Sequence, residues 1–432
     1  MNSLTGTLAN DHTRRQLCRR VLAVGGLVLI AVTRPLWFSM YEFPQVPWFE
    51  FLCPTPQWVD WCLSAALVVL LLAMAILPAD KPSNLRCGGA SVLLWAMLIA
   101  LNQHRLQPWA WFIMIGTLAT NAREDYSLRW MRWLVFGVYF FSGLSKLEPS
   151  FAAGGGNWLL DGMLMPFGQS SKILHPKGRE FLLWLMPAIE LAMAFFVVIP
   201  PLRKWGLFPI LAMHGALIFA LGPWGLNHKP GVLIWNGMFQ VLAFPLLWPK
   251  LNGEPRPICG PSRVLGAVVV LIAVVLPCLG QRWKPIADQW PSWSVYATWD
   301  KESHIPILYD GPLAEQLPPT LVPHIEEQWG SAIATGHEYS WPECYARFDR
   351  WSLEQTGAPI YPSRRFEAGI FAAVLETEWP LPKEPWDEDT VKNWNQLSSG
   401  GAGGNEVFKE RTEYWFNHKP RPFPFNTSKA DE

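Results

Sequence analysis

Charged residues are scarce in this sequence. Only 16% of its 432 residues are charged and 50% are hydrophobic, whereas a soluble globular protein has about 25% charged residues. The acidic and basic residues balance to a formal net charge of zero, which gives no reason to expect nucleic acid as a partner. The composition therefore predicts an integral membrane protein that also has a water-soluble portion.

Motifs for metal, nucleotide or hydrolytic chemistry are also lacking. The seven cysteines form no CxxC pair and no metal-ligand spacing, so we expect no metal site and cannot deduce a disulfide pairing. The run Gly154–Gly156 follows no strand pattern and lacks the lysine of a P-loop, which makes it a loop turn. No Ser-His-Asp arrangement stands out either.

Long apolar runs are what the sequence has instead, and they are concentrated before residue 282. Windows of ~20 residues predict about nine transmembrane helices. They lie near residues 20–40, 61–79, 87–102, 107–121, 129–147, 179–200, 203–222, 231–249 and 263–281. The run at 107–121 is barely long enough to cross a membrane.

The predicted fold is a polytopic all-α membrane bundle with a small mixed α/β C-terminal domain. Residues 1–19 form an N-terminal segment, 20–282 the transmembrane domain, 283–396 the α/β domain and 397–432 a flexible tail. Within 283–396, we predict a strand at Ser303–Tyr309 and short helices at Leu321–Trp329, Tyr345–Gln355 and around Phe366–Val374. The last of these rests on apolar residues at helical spacing.

Basic residues in the connecting loops predict the orientation. Arginine and lysine are much more frequent in the loops on the side of the N-terminus, and the first opposite loop carries only acidic charge. The positive-inside rule then places the N-terminus in the cytoplasm. With an odd number of spans, the C-terminal domain lies on the exported side of a plasma or inner membrane.

Ionisable side chains at membrane depth are the strongest functional pointers, because each needs a partner or water. Lys146 ends an apolar run, while Glu190 and His214 each lie midway along a later one. Tyr139, Gly143 and Lys146 follow the spacing i, i+4, i+7, which places them on one helix face and predicts a pocket beside the lysine.

Each of these residues also has a structural explanation. Lys146 could extend its ammonium to the membrane interface, and Glu190 could pair with His214 between adjacent helices. His104, beside Arg105, could be a loop feature, and most of the tryptophans fit an interfacial aromatic belt. Asn236 adds one neutral polar group to the bundle.

A family resemblance favours the functional explanation. The run Tyr139-Phe-Phe-Ser-Gly-Leu-Ser-Lys146-Leu-Glu, followed by Asn157-Trp-Leu-Leu-Asp-Gly162, resembles the vitamin K-dependent γ-glutamyl carboxylases and their bacterial relatives, the horizontally transferred transmembrane (HTTM) domain proteins. Further similar segments are Leu101-Asn-Gln-His104, Ile189-Glu-Leu, Met213-His214, Leu221–Asn236 and Trp290–Tyr296. The resemblance covers roughly residues 20–300 in matching order.

The resemblance implies a membrane enzyme in which Lys146 is the base that deprotonates reduced vitamin K or another quinol, and His104 assists it. In that family the deprotonated quinol reacts with O2, the strongly basic product removes a γ-proton from glutamate, and CO2 adds. Glu190, His214 and Asn236 fall within the matching segments. An apolar quinone ring would suit a lining of Tyr139, Phe140 and Trp158, with Gly143 admitting it beside the lysine.

Two functions follow as expectations. The first is quinol-dependent carboxylation, with membrane lipid, a quinone and an exported glutamate-bearing peptide or protein as partners. The carboxylases have a much longer exported region than the segment after residue 282. The resemblance therefore supports the quinol chemistry for this chain more than it supports a protein glutamate as the acceptor of CO2. The alternative is a non-catalytic quinone- or lipid-binding membrane protein that supports an export or redox assembly.

Overall fold

Helices dominate the computed structural model of this chain. The structure describes residues 10–38, 43–122, 124–248, 261–282, 288–295, 304–307, 318, 320–334, 337–375 and 421. The predicted flexible tail, except for Arg421, and Cys259 lie outside the described residues.

Among the described residues, eleven helices precede the first strand once short helical turns are set aside. They are α1 (Asp11–Val32), α2 (Gln57–Ile76), α3 (Pro82–Leu101), α4 (Pro108–Thr120), α5 (Glu124–Ser145), α6 (Gly155–Leu164), α7 (Pro176–Val198), α8 (Arg203–Leu221), α9 (Pro230–Leu247), α10 (Pro261–Val270) and α11 (Leu276–Arg282). A π-helical segment, Leu271–Val275, joins the last two.

Helix boundaries follow local sequence signals. The side chain of Asn10 caps α1 by accepting a hydrogen bond from the backbone N–H of His12 at 2.9 Å. Five helices, α3, α4, α7, α9 and α10, begin with proline, whose missing N–H costs no intrahelical bond at the first position.

Six helices in the described part of the chain are long and apolar enough to cross a membrane, as a multi-pass membrane protein requires. They are Gln57–Ile76, Pro82–Leu101, Pro176–Val198, Pro200–Leu221, Pro230–Leu247 and Ser262–Gly280. All six correspond to predicted spans. The other three predicted spans, near 20–40, 107–121 and 129–147, fall in α1, α4 and α5 and do not meet the same criterion.

The physical reasons differ for these three helices. The α4 helix has only 13 residues, which is short for a hydrocarbon core of about 30 Å. The α1 and α5 helices carry charges along their first turns, and several of these are buried in protein. Arg15 donates to the Thr120 carbonyl at 2.9 Å, Arg19 to Asn84 Oδ1 at 2.9 Å and Arg132 to the Leu246 carbonyl at 2.8 Å.

Contacts divide the chain into two units. Unit 1 consists of Met1–Trp37, Trp61–Leu98 and Leu106–Trp299, and unit 2 of Phe38–Asp60, Ile99–Arg105 and Asp300–Glu432. Unit 2 therefore combines two stretches from the predicted transmembrane region with the C-terminal part of the chain.

The described part of unit 2 contains a three-stranded antiparallel sheet in the order β1-β3-β2 and two helices. The elements are β1 (His304–Ile307), β2 (Ile325–Ala334), β3 (His337–Arg347), α12 (Phe348–Thr356) and α13 (Arg364–Leu375). In the β2–β3 hairpin, Ile325 is opposite Ala346 and Ala334 is opposite His337. The helix predicted at Leu321–Trp329 is wrong, because Ile325–Trp329 pair with β3 instead.

Helix α5 lies at the centre of unit 1, where it packs against α4, α7 and the π-helical segment. The contact with that segment is very close at Gly137. A Cβ atom added there would be 2.1 Å from the backbone oxygen of Ala273, so only glycine fits without moving the backbone. Gly237 in α9 is a contrast, since a Cβ added there meets no atom within 4 Å.

Gly137→Ala should therefore destabilise the protein, while Gly237→Ala should not. The first substitution forces two backbones apart, and overpacking of this kind costs about 1–3 kcal/mol. The second replaces glycine in a helix interior, where alanine is favoured by about 1 kcal/mol. Thermal unfolding in detergent would measure both, and equal melting temperatures for the two variants would contradict this packing.

Candidate functional site

Lys146 lies immediately after α5, and its ammonium is buried. Nζ is 2.6 and 2.8 Å from the two carboxylate oxygens of Glu190 and donates to Ser142 Oγ at 2.8 Å. The side chains of Lys146 and Glu190 are only 5% and 13% exposed. We call Lys146, Glu190 and Ser142 the lysine group; its ammonium is bound within unit 1 rather than extended into solvent.

Glu190 reaches the lysine because α5 and α7 approach closely at Gly143. A Cβ atom added to Gly143 would lie 3.1 Å from the carbonyl oxygen of Pro187 and 3.2 Å from Cβ of Glu190. Pro187 interrupts the hydrogen bonding of α7 one turn before Glu190. The sequence predicted that Gly143 would admit a close neighbour or a ligand beside the lysine, and the backbone of α7 is what lies there.

A second hydrogen-bond network, formed by Tyr139, His214 and Asn236, connects α5, α8 and α9. Tyr139 Oη lies 2.7 Å from His214 Nε2, and His214 Nδ1 lies 2.7 Å from Asn236 Oδ1. The amide nitrogen of Asn236 donates to the Val232 carbonyl at 2.8 Å, which orients its oxygen toward the histidine. His214 Nδ1 must therefore carry the proton, and Nε2 accepts from Tyr139.

The lysine group and the Tyr139–His214–Asn236 network are adjacent on one face of α5. Tyr139, Ser142, Gly143 and Lys146 follow the spacing i, i+3, i+4, i+7 along the end of α5. The Glu190 carboxylate interacts electrostatically with Tyr139, and Lys146 interacts with His214. Six predicted site residues, Tyr139, Gly143, Lys146, Glu190, His214 and Asn236, thus come together. The predicted Glu190–His214 pair is replaced by Lys146–Glu190 and Tyr139–His214.

Two of the predicted aromatic lining residues, Phe140 and Trp158, take different positions. Phe140 stacks on Phe136, with ring centroids 5.2 Å apart, and meets Phe195 of α7 edge-on at 6.1 Å. Trp158 in α6 is 39% exposed and contacts the ring of His228 at 5.8 Å. In the described part of the chain, Phe140 belongs to the α5–α7 interface, whereas the ring contact of Trp158 is with His228 and not with the lysine group.

His104 belongs to unit 2, where it is fully buried. Its Nε2 lies 3.0 Å from the Pro359 carbonyl and 3.2 Å from Ser352 Oγ, and its ring packs at 5.3 Å against both Phe43 and Phe366. Burial lowers the pKa of His104 to about 4, the Pro359 carbonyl opposes this and Arg105 adds to it. The ring is neutral at pH 7. Its predicted assistance to Lys146 stays a prediction.

Sequence reasoning missed Ser142, although its position four residues before Lys146 is the signal that would have found it. It also treated Arg105 as a loop feature, whereas Arg105 is buried and paired with Asp60. In the described part of the chain, no cluster of three or more His, Cys, Asp or Glu side chains could hold a metal ion.

The chain matches no family model, no curated protein and no solved structure. The resemblance to the γ-carboxylases therefore stays a prediction from sequence.

The lysine group can exchange a proton internally. In a low-dielectric site, a charged ammonium–carboxylate pair and a neutral amine–carboxylic acid pair differ by one proton moved along the Lys146–Glu190 hydrogen bond. When Glu190 holds that proton, Lys146 presents a free amine. The arrangement can therefore accept a proton from a weak acid that enters the site.

Lys146 and Glu190 should also be strongly coupled in their contributions to the free energy of unfolding. Lys146→Met or Glu190→Leu alone leaves one buried charge without its partner, which costs about 3–5 kcal/mol, whereas the double variant removes both charges and should recover most of that loss. Thermal unfolding of the four proteins in detergent gives the coupling energy. Additive losses in the double variant would contradict a buried pair.

The His104 pKa predicts a pH dependence of stability. The unfolded ring takes up a proton below about 6.5, but the folded ring does so only near 4. Acidification from pH 7 toward 4 therefore favours unfolding. His104→Gln, which does not titrate, should lose less melting temperature between pH 7 and 5 than the wild type does. The exposed His175→Gln is the control and should behave like wild type.

Proposed function

We propose that this chain is a multi-pass membrane enzyme that uses Lys146 as a base on a quinol, with chemistry like that of the vitamin K-dependent γ-carboxylases. The observation that carries the proposal is the buried Lys146 Nζ, bound by the Glu190 carboxylate and by Ser142. A lysine that only anchors a helix end keeps its ammonium in water, and Lys146 does not.

Glu190 is the group that makes Lys146 usable as a base. An ammonium cannot accept a proton, so the lysine must first transfer one to a neighbour. The Glu190 carboxylate, 2.6 Å away, is placed to receive it. The amine can then take the proton of a quinol hydroxyl, and Ser142 holds Nζ in position during both steps.

The Tyr139–His214–Asn236 network places polar groups beside Lys146. Tyr139, His214 and Asn236 are buried and hydrogen bonded to one another, so their orientation is set before a ligand arrives. Phe140, next to Tyr139, is the aromatic side chain of the quinol site in this proposal, and Gly143 contributes by letting α7 bring Glu190 to the base. His104 is included as the assisting residue on the strength of the family resemblance alone.

A quinol bound there supplies the reducing equivalents, with O2 and CO2 as co-substrates and a glutamate-bearing exported peptide or protein as acceptor. We propose a cytoplasmic N-terminus and an exported α/β domain after residue 282, on the basis of the loop charges. Nine spans would require α1, α4 and α5 to cross the bilayer along with the six apolar helices.

Activity of Lys146 variants tests this function. Purified protein in lipid would be incubated with a reduced naphthoquinone and labelled bicarbonate, and both quinone epoxide and fixed carbon would be measured. Lys146→Ala should lower turnover on the order of 100-fold or more, the usual effect of losing a general base. Lys146→Arg should be equally inactive, because arginine retains the charge but does not give up its proton.

Two controls separate chemistry from folding. Exposed Lys172→Ala should leave turnover unchanged, and Lys146→Arg should melt near the wild-type temperature because its guanidinium can pair with Glu190. Wild-type protein without any quinone turnover would sink the enzyme proposal and favour a quinone- or lipid-binding protein. A fully active Lys146→Arg variant would exclude Lys146 as the base.

A further inference from the structure

Asp60 is a buried carboxylate in unit 2 that binds two arginines. It lies in the first turn of α2, and its side chain is 0% exposed. Oδ1 accepts from Arg105 Nη1 at 2.5 Å, and Oδ2 accepts from Arg421 Nη1 at 2.5 Å. Arg105 and Asp60 come from neighbouring stretches of the helical region, but Arg421 comes from the far end of the chain.

Arg421 makes more contacts than a surface arginine would. Its Nη1 also donates to Gln45 Oε1 at 2.6 Å, its Nη2 donates to the Thr55 carbonyl, and its backbone N–H donates to the Gln45 carbonyl at 2.8 Å. Arg421 is only 7% exposed.

The local sequence suits Arg421 to binding as an extended segment. It lies between Pro420 and Pro422, and a following proline restricts the preceding residue to extended backbone. Neither proline has a backbone N–H, so the Arg421 N–H is the donor available at this point, and Gln45 accepts it. A stiff, extended segment loses little conformational entropy when it binds.

We infer that Asp60, Gln45 and Thr55 form a binding site for an arginine side chain, and that its ligand is the chain's own Arg421. The acceptors of the guanidinium are one carboxylate oxygen, one amide oxygen and the Thr55 carbonyl, while the Gln45 carbonyl accepts from the Arg421 backbone N–H. They match the fork of a guanidinium, which donates in several directions at once, better than the compact ammonium of lysine. The site is independent of Lys146 and of the proposed quinol chemistry.

The site holds the C-terminal segment without a covalent bond, and this is testable in the full-length protein. A protease recognition sequence would be inserted in the Gly-rich run Ser398–Gly404, and the N-terminal part would carry an affinity tag. After cleavage and washing, the C-terminal fragment should be retained on the tagged part. Arg421→Gln should lower the retained fraction by about tenfold or more, because it leaves the Asp60 oxygen and its neighbours without their donor.

Lys419→Gln is the matched control, since it removes one positive charge two residues away and should leave retention unchanged. Arg421→Lys should retain much less fragment than wild type if the site requires a guanidinium. A free peptide of residues 417–425 in excess should displace the wild-type fragment, whereas the same peptide with Arg421→Gln should not. This competition leaves the binding site itself unaltered.

Three outcomes would overturn the inference. The wild-type fragment could wash away at once, Arg421→Gln could be retained as well as wild type, or both peptides could displace the fragment equally. Size-exclusion profiles of the uncleaved variants show whether each protein is folded before cleavage. A variant that loses fragment retention but keeps quinol turnover, or loses turnover but keeps retention, would show that the arginine site and the proposed catalytic site act independently.

Discussion

A lysine buried in an apolar helix bundle must have a partner, and this requirement organises the centre of unit 1. Removing an ammonium from water costs several kcal/mol, which Lys146 offsets through Glu190 and Ser142. To bring Glu190 close, α5 and α7 must approach until their backbones nearly touch, which is why Gly143 faces the Pro187 carbonyl. The position of the charge thus sets the packing of two helices.

The hydrogen bonds around the pair add specificity to that packing. Apolar side chains fit together in many registers, but a buried polar network is satisfied in only one. Tyr139, His214 and Asn236 connect α5, α8 and α9 through two contacts of 2.7 Å. A shift of α8 would break both contacts, and a shift of α5 or α9 would break one of them. The residues proposed for catalysis are therefore also the residues that align the helices.

Sequence alone identified most members of this site but not how they pair. Polar residues in apolar runs are costly, so Lys146, Glu190, His214 and Asn236 stood out without any structure. Which of them meet depends on helix rotation and crossing, which local spacing does not encode. Glu190 was matched with His214 for that reason. Similarly, Ile325–Trp329 has helix-like spacing, but pairing with the hairpin partner β3 gives a strand.

The contacts of Arg421 could not be predicted from the sequence. Its partners, Gln45, Thr55 and Asp60, lie more than three hundred residues earlier in the chain, and no periodicity or motif connects them. Asp60 was passed over because an acidic residue at the start of a helix is ordinary. Only the tertiary contact reveals that this carboxylate is completely buried.

The orientation of Asn236 has a consequence for the redox state of any ligand. Its amide directs the His214 proton, and this in turn makes Tyr139 donate its hydroxyl hydrogen to His214. The tyrosine oxygen then has only lone pairs left to offer to a further partner. A reduced ring carries hydroxyl hydrogens that such an oxygen can accept, whereas the oxidised ring carries only carbonyls. In the quinol site proposed for this protein, a single amide held by its own helix would thereby favour the reduced ring over the oxidised one.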